Sequence, residues 1–307
     1  MCVFCNGKIV LDKVWCKMFN YSIIIPHKNI PSLLRRCLDS IPERDDLEII
    51  VVDDNSKEDT IRDLQTIHRN NLQIIYTKEG KGAGYARNVG ISKAQGKWIL
   101  FADADDFYEK EFNTFLTDYI NSNADCIYFS VSSVNSDTYE KSFRDFLYDD
   151  YIAKYNPMKP HSEEWIMFNK WEPWNKMISH ELIKNYHIQF EEISRCNDML
   201  FSMFVSLYTK KFKILKQKLY CVTQNNNSVT FHKTPVCEFR DCINAYKKRN
   251  IILKKINRIE WQEKIVNQHF FFLKKEGLVQ YVKYVLFYLC HYLFDLVTLI
   301  KFKRKLL

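Results

Sequence analysis

The chain is poor in the residues that loosen a backbone, with seven glycines and seven prolines in 307 positions. That excludes collagen-like and linker-dominated proteins, which are far richer in both. No repeat recurs along it and no low-complexity tract interrupts it. The opening MCVFCNGKIVLDKVWCK lacks an apolar core long enough for a secretory signal. Residues 1–17 read as a dispensable leader, with Met18 an alternative start. The ten cysteines are irregularly spaced and several lie inside apolar runs, so they read as reduced thiols of a cytoplasmic protein. Cys2 and Cys5 form a CxxC without a second pair, which falls short of a zinc site.

The formal charge of +8 is unevenly spread. From Asn244 to Leu307 there are 14 Lys and Arg against 4 acidic residues, so the rest of the chain is slightly acidic. The basic excess belongs to the tail and bears on location more than on chemistry; no nucleic-acid partner is expected.

The first half alternates regularly. Apolar, β-branched runs at YSIIIP (21–26), LEIIVVDD (47–54), LQIIYTK (72–78), KWILFAD (97–103) and DCIYFSV (125–131) predict strands. Helix-period segments lie between them at 31–41, 58–70, 83–95 and 109–121. Continuous apolar strands separated by helices imply an α/β fold whose parallel sheet is covered on both faces. Ligands of such sheets bind beyond the carboxyl ends of the strands. Those ends read PHKN, DDNS, TKEGKG and DADD.

Five of the seven glycines fall between 80 and 96. GKGAG precedes a helix, so its amides could face a phosphate at the helix N-terminus. As a dinucleotide fingerprint it follows the wrong strand, which disfavours a Rossmann dehydrogenase. FADADDFY (101–108) places three carboxylates within four positions. Asp103 and Asp105 could hold Mg2+ or Mn2+, hard ions that take one or two protein carboxylates and leave other positions to phosphate and water. Asp106 would then orient a ligand. The alternative is a turn with Asp106 capping the next helix. Asp53 and Asp54 add a second acidic strand end; a phosphoacceptor receiver would need another Asp after the third strand, and TKEGKG has none.

Taken in order, YSIIIPHKN, EIIVVDDNSKEDT and GKGAGYARNVGISKAQGKWILFADADDFY resemble the nucleotide-sugar-binding half of family 2 glycosyltransferases. WNKMISHELIKNYHIQF, RCNDMLF and LYCVTQNNNSVT resemble that family's acceptor-side segments, so the likeness covers about residues 20–232. It implies a GT-A type, Rossmann-like, mostly parallel sheet with helices on both faces, followed here by a helical C-terminal extension. The implied organisation is a nucleotide-sugar half over 18–131, an acceptor half over 132–236 and a basic amphipathic tail over 237–307.

The resemblance also implies roles. Pro26 would line the base pocket, Asp53 contact the nucleobase beside Asp54, and Arg87 and Asn88 lie along the donor. Asp105 would be the direct metal ligand, with Asp103 on ribose or a metal-bound water. Lys28 stands where the family often has an aromatic residue. Asp198 in RCNDMLF would be the general base, with Asn197 at the acceptor side where the family usually has Glu. One base and no covalent intermediate imply inversion at the anomeric carbon. The donor would be a nucleotide sugar, UDP-linked by family habit, and the acceptor a glycan or lipid-linked glycan.

Trp165, Trp171 and Trp174 lie within ten residues, and Trp174 is the first choice for an acceptor platform. His232 could approach the diphosphate. No QxxRW-type element of processive synthases occurs, so single additions are expected. FYLCHYLFDLVTLI (287–300) followed by KFKRKLL is short for a bilayer span and suits a helix lying on an anionic membrane surface through 281–307, peripheral to the inner face of the cell membrane. Two rivals remain at this point: a sugar nucleotidyltransferase on a similar fold, which would want glycines in PHKNIPSLLRR, and a silent glycan- or membrane-binding module.

Overall fold

The computed structural model describes residues 18–142, 152, 155–159, 161–224 and 234–306. The leader with its CxxC, and His232, lie outside the described residues. Eight strands form one sheet: β1 (Tyr21–His27), β2 (Leu47–Asp54), β3 (Leu72–Thr77), β4 (Trp98–Phe101), β5 (Phe107–Tyr108), β6 (Cys126–Asn135), β7 (Lys176–Ser179) and β8 (Phe212–Gln224). Their spatial order is β3-β2-β1-β4-β7-β6-β8-β5.

β1 lies between β2 and β4 and runs parallel to both, with Ile23 opposite Ile49 and Leu100. Side chains alternate between faces along each strand. Ile23, Ile25, Ile49, Val51 and Leu100 pack on one face against α1 (Pro31–Ser40), α2 (Glu58–Gln65) and α4 (Phe112–Tyr119). Ile24, Ile50, Val52, Ile99 and Phe101 pack on the other against α3 (Ala83–Lys93), α5 (Ser162–Asn169), α6 (His180–Asn185) and α7 (Asn197–Tyr208). The helices obey the same logic: α1 opens on Pro31, which needs no amide partner in a first turn, and buries Leu34, Cys37 and Leu38 on one stripe. Pro26 is tolerated in β1 because the pairing with β4 ends at Ile24, two residues earlier.

Two details beyond the sequence reading shape the site. β7 enters between β4 and β6 and runs antiparallel to both, so the sheet is mostly parallel, as the resemblance implied. Four residues after a 3-10 turn at Pro173–Asn175 are too few to show a periodicity. The helix expected from 109 begins at Phe112, because Phe107 and Tyr108 form β5 and pair antiparallel with Cys221 and Tyr220 of β8.

The tail is helical: α8 (Val236–Lys255), α9 (Ile265–Glu276) and α10 (Leu278–Lys305). Ile252 and Leu253 bind α8 to the core beside α7. Phe239, Ile243, Phe272 and Tyr284 make a small core joining the three tail helices, with Phe239 and Phe272 stacked at 3.9 Å. α10 is longer than its unbroken apolar run, and by length and composition alone it could cross a membrane.

Candidate active site

The end of β4 sorts its residues by face. Ala102, Ala104 and Asp106 turn inward and are buried, whereas Asp103 and Asp105 are partly exposed. Asp106 accepts from the Tyr220 hydroxyl at 3.0 Å and from Thr223 N at 2.7 Å. The same hydroxyl accepts from Asp103 N at 2.9 Å. Arg36 and Thr223 hold the Asp105 carbonyl at 2.5 and 2.7 Å. Asp106 is therefore an anchor to β8 and not the cap of α4, whose first turn lies behind Glu111. Burial, then the neighbouring charges of Asp105 and Asp103, push the Asp106 carboxyl well above its ordinary range.

Arg87 joins this loop to the second half of the chain. Its guanidinium donates to Asp103 Oδ1 at 2.6 Å and to Asn197 Oδ1 at 3.0 Å, and sits 5.3 Å over the Phe190 ring. Phe190 stacks on Phe201 at 3.9 Å, so the arginine rests on a rigid aromatic floor. Gly84, one turn earlier, allows the approach: a Cβ there would lie 2.2 Å from the Glu191 carbonyl oxygen and 3.1 Å from Asn197 Cβ. Here the glycine serves close packing of backbone on backbone.

Next to Asn197, Asp198 occupies the first turn of α7 and lines a cavity of about 510 Å³. Arg87, Trp171 and Asn197 form one wall, and Phe271 and Lys275 of α9 contribute another. Asp198 reaches the cavity surface but is crowded by protein atoms. That desolvation is the largest influence on its carboxyl; Arg87 opposes it, Glu172 adds to it, and the result is a pKa pushed up to about 6. Lys176 nearby is fully buried, and burial pushes its amine down to about 8. It donates to the Glu172 carbonyl and to Asn175 Oδ1, the latter at 3.0 Å. Among the described residues Glu172 Oε2 is buried with no hydrogen-bond partner. The sequence reading missed Lys176 and Glu172; two charges inside the aromatic run WEPWNK were the available signal.

The acidic end of β2 is different. Asp53 is fully buried, taking His27 Nδ1 at 2.8 Å, Ser56 N at 3.0 Å and Ser56 Oγ at 2.5 Å. Since His27 Nε2 accepts from Ile30 N at 3.2 Å, Nδ1 carries the proton given to Asp53. Burial alone would raise the Asp53 carboxyl, but the bonds from His27 and Ser56 outweigh it and hold it below its ordinary value. Asp54 accepts from Gly82 N at 2.8 Å and Lys81 N at 3.1 Å, with Lys28 Nζ 3.6 Å away.

Four expectations change accordingly. The amides of Lys81 and Gly82, read as a phosphate cradle, are aimed at Asp54; Gly82, at φ +92°, supplies the turn. Asp53 presents no accessible carboxylate to a nucleobase in this conformation, because its oxygens are enclosed by His27 and Ser56. Asn88 uses both ends of its amide on the Phe190 backbone, at 3.0 and 2.9 Å, and so pins that segment to α3 instead of facing a donor. Trp174 is buried and stacked on Tyr220 at 5.3 Å, which makes it core; Trp171 is the tryptophan that lines the Asp198 cavity.

Comparison with known proteins bears on this arrangement. The family model described as "Glycosyl transferase family 2" matches residues 22–186, more than half of the chain. The protein is a member of that family. Among curated relatives, a poly(ribitol-phosphate) β-N-acetylglucosaminyltransferase, TarS, of Staphylococcus aureus is 24% identical over 87% of this chain and 47% of its own length. A poly(ribitol-phosphate) β-glucosyltransferase of Bacillus spizizenii is 26% identical over 84% of this chain and 41% of its own. The chain thus spans about half the length of these curated relatives. Residues 1–349 of S. aureus TarS with UDP-GlcNAc superpose with a TM-score of 0.62 at 22% identity, covering 83% of this chain and 73% of that one. A mannosyltransferase of Pyrobaculum calidifontis with GDP-Man and Mn2+ gives a TM-score of 0.55 at 16% identity, covering 81% and 70%. These structural neighbours establish the GT-A fold for this chain, and family membership sets aside the nucleotidyltransferase alternative.

Proposed function

We propose that this chain moves a sugar from a nucleotide diphosphate, a UDP-sugar first among candidates, to a hydroxyl of a glycan or lipid-linked glycan, with inversion. One observation carries the reading: Asp198, a carboxyl raised to about 6, is tied through Asn197 and Arg87 to Asp103 at the end of β4. A base of that pKa is mostly ionised at neutral pH and still accepts a proton effectively. Asp198 takes the acceptor's hydroxyl proton as that oxygen attacks the anomeric carbon, and the bond to the diphosphate breaks with its electron pair leaving on the nucleotide. Arg87 stabilises that side of the cleft. Asn197, by holding Arg87, keeps base and donor site in register. Trp171, on the cavity wall, would meet the incoming sugar.

A divalent ion fits the β4 end. Asp103 and Asp105 are partly exposed; burial first, and then the charges of Asp105 and Asp103, raises the buried Asp106 and Cys37, so a cation beside the two carboxylates is electrostatically favoured. Among the described residues no three His, Cys, Asp or Glu side chains form a protein-only metal cage. Mg2+ or Mn2+ shared with donor phosphates needs only one or two carboxylates. Asp105, with Asp103, would hold it, and when bound it would neutralise charge on the departing diphosphate. The relatives' names and bound ligands support the donor class: UDP-GlcNAc in one neighbour, GDP-Man with Mn2+ in another. On the same basis the acceptor is a bacterial polysaccharide of the poly(ribitol-phosphate) kind.

The test is calorimetric binding of a nucleotide-sugar panel with Mn2+ or EDTA, followed by transfer assays. Asp198→Asn is expected to bind donor and Mn2+ like the native chain while transfer falls at least a thousandfold, about 4 kcal/mol of barrier. Asp105→Ala is expected to lose Mn2+ and donor together. A chain that binds no nucleotide sugar with any metal overturns the reading.

A further inference from the structure

α10 is folded inside out. From Leu278 to Ile300 its protein-facing side carries Tyr281, Tyr284, Tyr288, His291, Asp295 and Thr298, which are buried or half-buried. The opposite side carries Val282, Leu286, Leu289, Leu293, Phe294 and Ile300, with Leu293 75% exposed and Phe294 68%. A helix on the outside of a water-soluble domain turns its apolar stripe inward; this one turns it outward. So large an exposed apolar surface marks a docking site.

The ends of the helix say what docks. Lys301, Lys303, Arg304 and Lys305 close α10, and Lys283 is the one charged residue on the outward face before them. No acidic residue is exposed on α10, since Asp295 is buried. A second copy of the chain would set this basic end against a face with no counter-charge. An anionic phospholipid surface supplies both an apolar layer and the charge. The helix is also held along its length: Tyr284 edges onto Phe239 at 4.6 Å, Lys247 Nζ donates to Tyr288 Oη, and Phe302 meets Phe204 at 6.3 Å. It therefore lies along the body of the enzyme, and its outer side meets the interface in plane.

The apolar surface continues onto α9, where Phe270 and Phe271 are each 64% exposed. Phe271 and Lys275 also line the cavity that contains Asp198. We infer that the outward face of α9 and α10 docks on an anionic phospholipid bilayer, and that docking sets the mouth of the Asp198 cavity at the lipid surface, so that the acceptor is drawn from the membrane. The clause about the acceptor rests on the function proposed above.

The test is flotation of the full chain with vesicles of equal phosphatidylglycerol and phosphatidylcholine, against phosphatidylcholine alone. Binding to the anionic vesicles at least tenfold stronger, and weakened by salt, is expected. Leu286→Glu with Leu293→Glu should reduce it tenfold or more while donor affinity stays native. Lys301→Glu with Lys303→Glu should erase the anionic preference. Should the double glutamate variant fail to fold, Phe294→Trp in the native background gives a second readout, a blue-shifted emission on anionic vesicles. Absence of vesicle binding and of that shift overturns the inference, as does a dimer by light scattering that occupies this face in place of lipid. Vesicle binding without donor binding would leave docking intact and sink only the enzymatic reading; donor binding without vesicle binding would do the reverse.

Discussion

Two strand ends in the same sheet look alike in sequence and do opposite things. β2 ends in Asp53-Asp54, and β4 runs into Asp103, Asp105 and Asp106. At β2 the fold supplies donors for both carboxylates: an imidazole, a serine and two loop amides. At β4 Asp106 takes two donors from β8, Asp103 takes an arginine that also holds Asn197, and Asp103 and Asp105 stay partly exposed. The first end is closed around its charge and stabilises the turn into α3. The second keeps negative charge at the cleft, where each carboxylate disfavours the others. The same kind of acidic motif is thus an enclosed anchor at one strand end and a partly exposed cluster at the other.

The contrast breaks most sharply on Asp105→Asn. Transfer is expected to fall about a thousandfold, or about 4 kcal/mol. Folding stability should change little, because Asp105 is partly exposed and the buried anchor Asp106 is untouched. Steady-state kinetics and urea unfolding on one preparation check both halves. A variant that loses stability along with activity would make the β4 end structural, like its neighbour.

Asp53→Asn should show the reverse profile. Removing a buried charge that collects bonds from His27 and Ser56 is expected to destabilise the fold by about 3 kcal/mol. The sign against pH follows from the lowered carboxyl. Its contribution is present above the unfolded-state pKa and is lost as pH falls through the still lower folded value. The native chain should therefore lose more stability than the variant between pH 5 and pH 3, as seen in urea midpoints. Equal acid sensitivity would mean that the Asp53 bonds do not hold the turn.

How much of this was legible beforehand depends on the residue. The parallel core was written in the runs SIII, EIIVV and WILF, because strands buried on both faces must be apolar throughout. Ordered motifs drew attention to Asp103, Asp105 and Asp198, whose roles are those proposed above. What local sequence could not show was pairing between distant segments. Trp174 and Trp171 are three residues apart, yet one stacks on Tyr220 from β8 and the other meets Tyr246 from α8. Asn88 looked available until the chain returned at Phe190 to take both ends of its amide. β7 and β5 are too short to carry a pattern, and their places come from the neighbours they complete. The tail's composition was visible, but its reversed polarity needed α8 and α9 in place to show which side of α10 faces protein.

Asp198 sharpens the comparison from a third direction. It is raised where Asp53 is lowered, because burial is its largest influence and no bond outweighs it. If it is the base, its ionised form carries turnover, so kcat/KM should be flat above about pH 7 and fall tenfold per pH unit below about 6, each unit being about 1.4 kcal/mol. A diphosphate esterified at both ends has no group titrating in that window, so the limb belongs to the enzyme. Stability should move the other way. A raised carboxyl favours its proton in the folded state, so charging Asp198 opposes folding as pH climbs through about 6. Asp198→Asn, uncharged throughout, is then expected to melt at or above the native temperature at pH 8 and to lose that advantage only as pH falls from about 6 towards the unfolded-state carboxyl value of about 4. A variant that melts lower at pH 8 would show that the native charge is paired and stabilising, and Asp198 would join Asp53 among the closed carboxylates.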